Sequence, residues 1–424
     1  MYNSNVKESL FLSEPGIVCA AGNNVRDFWK ALTTGSQDGL VKVKTHSGRQ
    51  FFAAKIADGA LKKTGARYDM RVVQIEDSAL EQIAPVVMAA KQKYGVSRIA
   101  VCAGCCDNGS EFSVAGHREY FEKGAFPKNY SLEIQSADYP ATYIKEKFGL
   151  AGPSYVFATA CSSSGSAIIK AAELIAAGIV DAAIAGGVDV ASDTVLLGFD
   201  SLEAVSETKT NPFSANRSGI TLGEGAAFFV LTKDKDFARG NCGGFGAAAD
   251  SATQLIELLG FGESADASHM TAPLADGSGA LAAMKEALAS AGLEAGQIDY
   301  LNLHGTGTKL NDSMEAKAVS KVFGSLAASV PASSTKPMTG HTLGASSAIE
   351  LAACWLSIAN NRGKSFGDIK LPLHVYDGQY DSSLPPLNLI GRETKFNKEI
   401  NVCMSNSFGF GGCNVSLIIG KNNG

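Results

Sequence analysis

Two stretches of this chain look alike, and together they restrict it to an α/β protein built on a repeated unit. Residues 154–178 read SYVFATACSSSGSAIIKAAELIAAG, and residues 331–360 read PASSTKPMTGHTLGASSAIELAACWLSIAN. Each is a short apolar strand, a turn of Gly, Ser and Thr, and an Ala-rich helix. The Ala-Ile pairs at Ala167-Ile168 and Ala348-Ile349 lie about 180 residues apart, far beyond the period of a solenoid. Two fused copies of one α/β unit explain the pattern.

Further strand–helix units surround these two. DAAIAGGVDV and AAFFVLT read as buried strands, and GSGALAAMKEALASAGL as an amphipathic helix ending at Gly292. IDYLNLHGTGT is a strand running into a glycine turn, with a helix from Asp312. EINVCMSNSFGFGGCNVSLIIG is two strands joined by a glycine loop. The Gly/Ala-rich stretch GNCGGFGAAADSATQ (240–254) is the expected flexible join, dividing the chain into halves 1–250 and 251–424.

Charge and cysteine usage exclude several classes. Lys+Arg 37 against Asp+Glu 42 leaves a net charge of −5, which argues against nucleic-acid binding. The longest apolar stretch, Ala171 to Ala191, is broken by Glu173, Asp181 and Asp189. It reads as a buried helix followed by a buried strand, with no membrane span. Glu8, Glu14 and Pro15 interrupt the N-terminal apolar stretch, so no signal peptide is expected there and the chain reads as soluble and cytoplasmic. Nine cysteines (Cys19, Cys102, Cys105, Cys106, Cys161, Cys242, Cys354, Cys403 and Cys413) lie mostly in apolar runs and read as buried, reduced thiols. Cys102, Cys105 and Cys106 lack a second Cys/His pair at ligand spacing, so no metal site is expected.

Three residues carry the candidate chemistry. Cys161 falls where an apolar strand ends and a helix begins, and the orphan N–H groups of a helix N-terminus favour a thiolate and stabilise an oxyanion. A small buried cysteine at a strand end is an equal reading of that segment alone. His304 follows a strand, and Gly305 and Gly307 let the backbone turn sharply beside it. His341 precedes the second Ala-rich helix. Each histidine alone reads first as structural; a cysteine with two such histidines points to nucleophilic or acid–base chemistry. Lys336 sits five residues before His341. Asp312 and Glu315 share one helix face, either as a solvated helix start or with Glu315 paired to Lys336. NSFGFGGCN (406–414) is a tight β connection or a mobile flap carrying Phe408 and Phe410.

TACSSS, HGTGTKLND, SSTKPMTGHTLGA and NSFGFGG, in this order over residues 161–412, resemble the elongating β-ketoacyl-acyl-carrier-protein synthases of fatty acid and polyketide synthesis. GIVCAAGNNVRDFWKAL and LLGFGESADASHMTAP extend the likeness over nearly the whole chain. The resemblance implies a thiolase fold, five-layer αβαβα from two duplicated halves, normally dimeric. It implies decarboxylative condensation of an acyl group on Cys161 with a malonyl unit. His304 and His341 would activate the malonyl group and stabilise the enolate, and Lys336, paired with Glu315, would order the histidines. The backbone N–H groups of Cys161 and Phe410 would form the oxyanion hole, and Phe410 would gate the acyl chamber beside Phe408. Thr306 and Thr308 would bind the phosphopantetheine arm of acyl carrier protein, with no further cofactor. Ser214, Ser218 and the GGCN ending depart from the family's pattern and are closer to dedicated pathways such as aryl-polyene or polyketide assembly. A subunit in a ketosynthase/chain-length-factor heterodimer is the alternative; a purely non-catalytic partner would lack the nucleophile. A biosynthetic thiolase would need a second catalytic cysteine where GFGG stands, though Cys413 follows it. Carrier proteins of this type are acidic. Lys62, Lys63, Arg67 and Arg71, in a segment (61–71) read as helical and exposed, are therefore the expected docking patch, against the bland reading of an ordinary solvated helix face.

Overall fold

The computed structural model describes residues 9–65, 68–107, 109–241 and 255–422. The expected join at 240–254 falls almost wholly outside these residues. In chain order the first half runs β1 (Phe11–Leu12), β2 (Gly16–Cys19), α1 (Val25–Thr34), β3 (Leu40–Lys44), β4 (Gln50–Ala54), α2 (Arg71–Tyr94), β5 (Ile99–Gly104), α3 (Ser110–Lys123) and α4 (Tyr139–Phe148). It continues with β6 (Ser154–Phe157), α5 (Ser163–Ala176), β7 (Ala182–Asp189), α6 (Asp193–Ser201), β8 (Leu222–Gly223), β9 (Gly225–Thr232) and α7 (Lys235–Asn241). The second half holds β10 (Ile256–Ala265), α8 (Ser278–Ala291), β11 (Tyr300–Asn302), α9 (Lys309–Phe323), β12 (Pro331–Ser333), α10 (Lys336–Thr339), α11 (Ser346–Ala359), β13 (Asn388–Leu389), β14 (Val402–Phe408) and β15 (Cys413–Lys421).

The sheet order is β13-β12-β11-β14-β15-β10-β1-β9-β7-β5-β6, with β2 also pairing β9. The short strand β1 is the seam: Phe11 and Leu12 pair with β9 on one side and β10 on the other. Either side of it the pattern repeats. Two parallel ladders (β5 with β6 and β7; β11 with β12 and β14) are followed by an antiparallel strand (β9; β15). Every residue of β7 and β9 is buried, as in a sheet covered on both faces, so these strands read as unbroken apolar or small-residue runs.

Helices α5 and α11 cross each other between the two half-sheets, and α2, α4, α8 and α9 cover the outer faces, completing five layers in the order αβαβα. The middle helices have no solvent side. Residues 346–358 of α11 are all buried, and only Lys170, Glu173 and Ala176 of α5 escape burial. A helix hydrophobic or small all round belongs in such a layer. Small residues set the crossing distance: a Cβ on Gly165 would meet Val415 Cγ1 at 2.8 Å and Ser347 Oγ at 3.1 Å. Among the described residues no helix is long and apolar enough to cross a membrane; the stretch Ala171–Ala191 is the last turns of α5, an exposed turn at 177–179 and the buried strand β7.

The duplication is visible at the two turns in the middle of the molecule. Each is a three-residue 3₁₀ turn (Ala160–Ser162; Leu343–Ala345) opening onto a 14-residue helix. The first residue of each turn takes a left-handed conformation unusual for its type, Ala160 at φ 52° and Leu343 at φ 51°. This equates Ala160 with Leu343, Cys161 with Gly344 and Ser163 with Ser346. It is two residues out of step with the Ala-Ile pairs that suggest the repeat in sequence.

Candidate active site

Cys161 is fixed by its turn. The Ser163 hydroxyl donates to Ala160 O at 2.6 Å and accepts the Thr159 N–H at 2.9 Å, stapling the left-handed step before the cysteine. The side chain is 4 % exposed, and Sγ lies 3.0 Å from His341 Nε2. A helix-start cysteine is expected to ionise readily, but burial outweighs the turn here. Desolvation pushes the thiol up to about 11, while the Lys336 charge and the N–H groups of Phe410 and of Cys161 itself pull the other way. Cys161 and Phe410 both line the cavity at this sulfur.

His341 enters through a single bridge to Leu222 in β8, giving its N–H to Thr221 O at 2.7 Å. Its Nδ1 accepts the Leu343 N–H at 3.2 Å. A neutral ring that accepts at Nδ1 carries its hydrogen on Nε2, the atom facing Cys161; this tautomer follows from the hydrogen-bond network. His304 stands after β11, its ring 5.4 Å from that of His341 and perpendicular to it. Its Nδ1 lies 3.3 Å from Lys336 Nζ, a donor only, so His304 also carries hydrogen on Nε2. Burial, reinforced by the Lys336 charge, holds both imidazoles well below the ordinary histidine range; for His304 the other histidine adds to the effect. The site thus presents a neutral thiol and two neutral N–H donors. Gly305 permits the sharp turn after His304, with φ at 38° and the Ser334 side chain 2.6 Å from where a Cβ would sit.

The pairing expected between Lys336 and Glu315 is not what forms. Lys336, 1 % exposed, makes its ion pair with Glu350 of α11 and donates to His304 O at 2.6 Å. Glu315 instead accepts the backbone N–H groups of His304 and Gly305, both at 2.7 Å, and so fixes the turn rather than the ammonium. Both carboxyls are fully buried, and desolvation pushes Glu315 up to about 8 and Glu350 to about 7. Asp312, on the same face of α9 as Glu315, accepts the Phe213 and Gly307 N–H groups.

A cavity of about 620 Å³ runs from these residues outward. Cys161, His304, His341, Phe408 and Phe410 line its inner end; Thr306 and Thr308, with hydroxyls 3.1 Å apart, line its wall. Ser218 lines it too and bonds Ser206, whereas Ser214 turns away to the Asp377 carboxylate. Phe410 rests against Phe199 of α6, ring centres 5.7 Å apart. The role of Phe199 has no signal in the sequence, since α6 touches the cavity only through the fold. Cys413 does not line the cavity, although Gly412 and Asn414 beside it do.

The basic run is not brought together as expected. Residues 61–65 are irregular rather than helical, and α2 begins only at Arg71. Arg71 is mostly buried and bound to Glu224 (Nε to Oε2, 3.0 Å) and Asp58 (2.8 Å), so it offers no free charge. Lys62 and Lys63 are exposed, Lys62 paired with Glu81, and Arg67 lies outside the described residues. Of the three neighbouring cysteines, Cys102 and Cys105 are buried and Cys106 is exposed. Among the described residues, the only set of three or more His, Cys or carboxylate residues with donor atoms within 4.8 Å of one another is Cys161, His304 and His341 itself.

Residues 15–236 match the family described as β-ketoacyl synthase, N-terminal domain, and residues 255–362 match β-ketoacyl synthase, C-terminal domain. The 3-oxoacyl-[acyl-carrier-protein] synthase 2 of Vibrio cholerae is 31 % identical over 97 % of this chain and 99 % of its own length. Nodulation protein E of Rhizobium meliloti is 38 % identical over 65 % of this chain and 64 % of its own. Among solved structures, the ketosynthase (ApeO) in complex with its chain length factor (ApeC) from Xenorhabdus doucetiae superposes with a TM-score of 0.85 at 35 % identity, covering 100 % of both chains.

Proposed function

The chain belongs to the β-ketoacyl synthase family, and from that premise we propose that it is a 3-oxoacyl-acyl-carrier-protein synthase, an acyltransferase that extends an acyl chain held on Cys161. The observation that carries the residue assignment is the convergence of two Nε2-protonated neutral imidazoles on a buried thiol.

In the first step Cys161 Sγ attacks the thioester carbonyl of an acyl group on the phosphopantetheine arm. The new C–S bond forms, and the negative oxygen sits between the N–H groups of Cys161 and Phe410. Collapse expels the pantetheine sulfur, which leaves with the thiol proton. A malonyl group on a second carrier then enters, its arm running past Thr306 and Thr308. The bond to its carboxylate breaks, carbon dioxide departs, and the electron pair moves onto the thioester oxygen as an enolate. The Nε2–H groups of His304 and His341 are placed to receive that charge. The enolate carbon attacks the acyl-Cys161 carbonyl, and collapse releases 3-oxoacyl-carrier protein and the Cys161 sulfur, which takes a proton from solvent to restore the thiol. Decarboxylation itself supplies the carbanion, so these steps call on the carried substrates and this chain's residues and on no further cofactor. Lys336 holds His304 in the donor tautomer, and Glu315 holds the backbone on which His304 stands.

The two-half division, 1–250 with the nucleophile and 251–424 with both histidines, is supported by the two family matches. Soluble, cytoplasmic operation is supported by the full-length likeness to a 3-oxoacyl-acyl-carrier-protein synthase. A partner of the same fold is the natural cover for the apolar side chains exposed on and after α3, among them Phe121 at 82 % and Leu132 at 80 %, and for the edge strand β6 with its exposed Tyr155. That partner is a second copy or a chain-length factor, and with Cys161, His304 and His341 all in place this chain is the condensing half of either dimer. Lys62 and Lys63 remain the proposed docking charges for acidic carrier protein.

His304→Ala and His341→Ala test the assignment. Each should lower decarboxylation of malonyl-carrier protein about 10²–10³-fold to a measurable residual rate while leaving acyl transfer onto Cys161 in place, because only the enolate needs both donors. Full condensation by either variant removes that histidine from the mechanism.

A further inference from the structure

The turn that mirrors the nucleophile turn carries Gly344 where the first half has Cys161. Its N–H, the counterpart of one oxyanion donor, is not left for a ligand. Asp189, the last residue of β7 and 0 % exposed, accepts it at Oδ2 at 2.7 Å. The same oxygen accepts the Cys106 N–H at 3.0 Å, and Oδ1 accepts the Val190 N–H at 3.3 Å. Gly344 is what permits this approach, since a Cβ there would lie 2.8 Å from Oδ2. Among the described residues no basic side chain bonds this carboxyl.

One oxygen thus joins the two turns of the site. On one side it holds Gly344, next to Leu343, whose N–H fixes His341 Nδ1. On the other it holds Cys106, whose thiol lies 3.4 Å from Ala160 O, the carbonyl immediately before Cys161. Leu343 and Ala160 are both in the left-handed region, conformations costly for residues with a Cβ that persist only where the surroundings hold them.

We propose that Asp189 is a positioning residue of the condensation site, clamping the Leu343–Gly344 turn against the Ala160–Cys161 turn so that His341 Nε2–H stays aimed at the Cys161 sulfur. It touches no substrate and acts through His341. The inference rests on the decarboxylating role given to His341. A displacement of about 1 Å at a reacting group costs on the order of 100-fold, so the effect should be large in rate and small in binding.

Asp189→Ala should lower malonyl-carrier decarboxylation about 10- to 100-fold with less than about a twofold change in KM, and Asp189→Asn, whose amide oxygen accepts both N–H groups, should recover to within about threefold of wild type. In a His341→Ala background the Asp189→Ala change should cost nothing further, as residues acting through one group are not additive. A histidine ¹⁵N spectrum of the resting protein should show the His341 resonances displaced in Asp189→Ala and those of the buried His374 unmoved. If Asp189→Ala does not fold, Asp189→Ser, too short to reach Gly344, takes its place. An undiminished rate, an Asn variant as poor as Ala, an equal further loss in the His341→Ala background, or an unchanged His341 spectrum overturns the inference. Should His341→Ala alone decarboxylate normally, the functional reading fails instead, and the spectrum still decides whether Asp189 places the ring.

Discussion

Replacing Lys336 by Met separates two roles of one ammonium. The aliphatic stem keeps its packing, because Met is of similar length and adapts readily. Glu350 loses the cation bonded to it and remains fully buried. With the ammonium present its carboxyl already sits near 7, so without it the group takes up a proton in the folded chain. An unfolded glutamate at 4.5 is ionised at pH 7. Protonating it across those two and a half pH units costs about 3.4 kcal/mol, of which the wild type, half-protonated at pH 7, already bears about 3.0 kcal/mol; the two diverge above pH 7, where the wild-type carboxyl ionises against its lysine and the variant's stays neutral. The sign follows from a folded pKa raised above the unfolded one: stability is lost as pH rises through the folded value and regained as pH falls toward 4.5. Urea denaturation should therefore show Lys336→Met less stable than wild type by under about 1 kcal/mol at pH 7 and by about 2–3 kcal/mol at pH 9. Lys336→Met/Glu350→Gln should recover most of the loss at pH 9. Catalysis behaves differently. Without the ammonium nothing keeps His304 Nδ1 an acceptor, and one enolate donor is lost, about 10²–10³-fold in decarboxylation. The Glu350→Gln change does not restore it. Full decarboxylation by Lys336→Met would refute the tautomer argument, and a stability deficit that does not grow between pH 7 and pH 9 would refute the origin assigned to it.

With its thiol pushed up to about 11, Cys161 should be alkylated by iodoacetamide about tenfold faster per pH unit between pH 7 and 9, and prior acylation should protect it. Cys106, exposed but likewise pushed up, should lag behind it; mass spectrometry of the labelled peptides reads both, and a rate level over that range contradicts the burial argument. Charge reversal at Lys62 and Lys63 should raise KM for acyl-carrier protein several-fold at low salt, less at high salt, and leave a small pantetheine thioester unaffected. Equal kinetics for wild type and variant at low salt would place docking elsewhere.

The parts of the site legible in the sequence are those whose chemistry and local turn coincide. Cys161 before a small-residue helix, His304 before its glycines and His341 before the second helix are each marked by their own segment. The partners are not, because long-range packing chooses them. Glu315 lies on the helix face where a lysine partner is sought, yet its carboxylate is used by the two N–H groups beside it. Glu350 sits in SSAIELAACW, where a lone charge in an apolar helix carries no sign of which lysine it meets. Arg71 reads as part of a solvated basic run, but Glu224, far along the chain and wholly buried, claims it. At Cys161 the helix start was the visible cue and burial the stronger force. The duplication is visible in sequence only as a likeness between segments; the matched left-handed residues Ala160 and Leu343 set its register.

The central claim is that acyl chains are carried on Cys161 and extended there by a decarboxylated malonyl unit. Intact-mass analysis of the protein after incubation with acyl-carrier protein, and then with malonyl-carrier protein, tests it directly. The account predicts a single acyl adduct that maps to Cys161, its discharge on malonyl addition with release of carbon dioxide and 3-oxoacyl-carrier protein, and neither event in Cys161→Ala. An adduct on another cysteine, or 3-oxoacyl product made by Cys161→Ala, would contradict it.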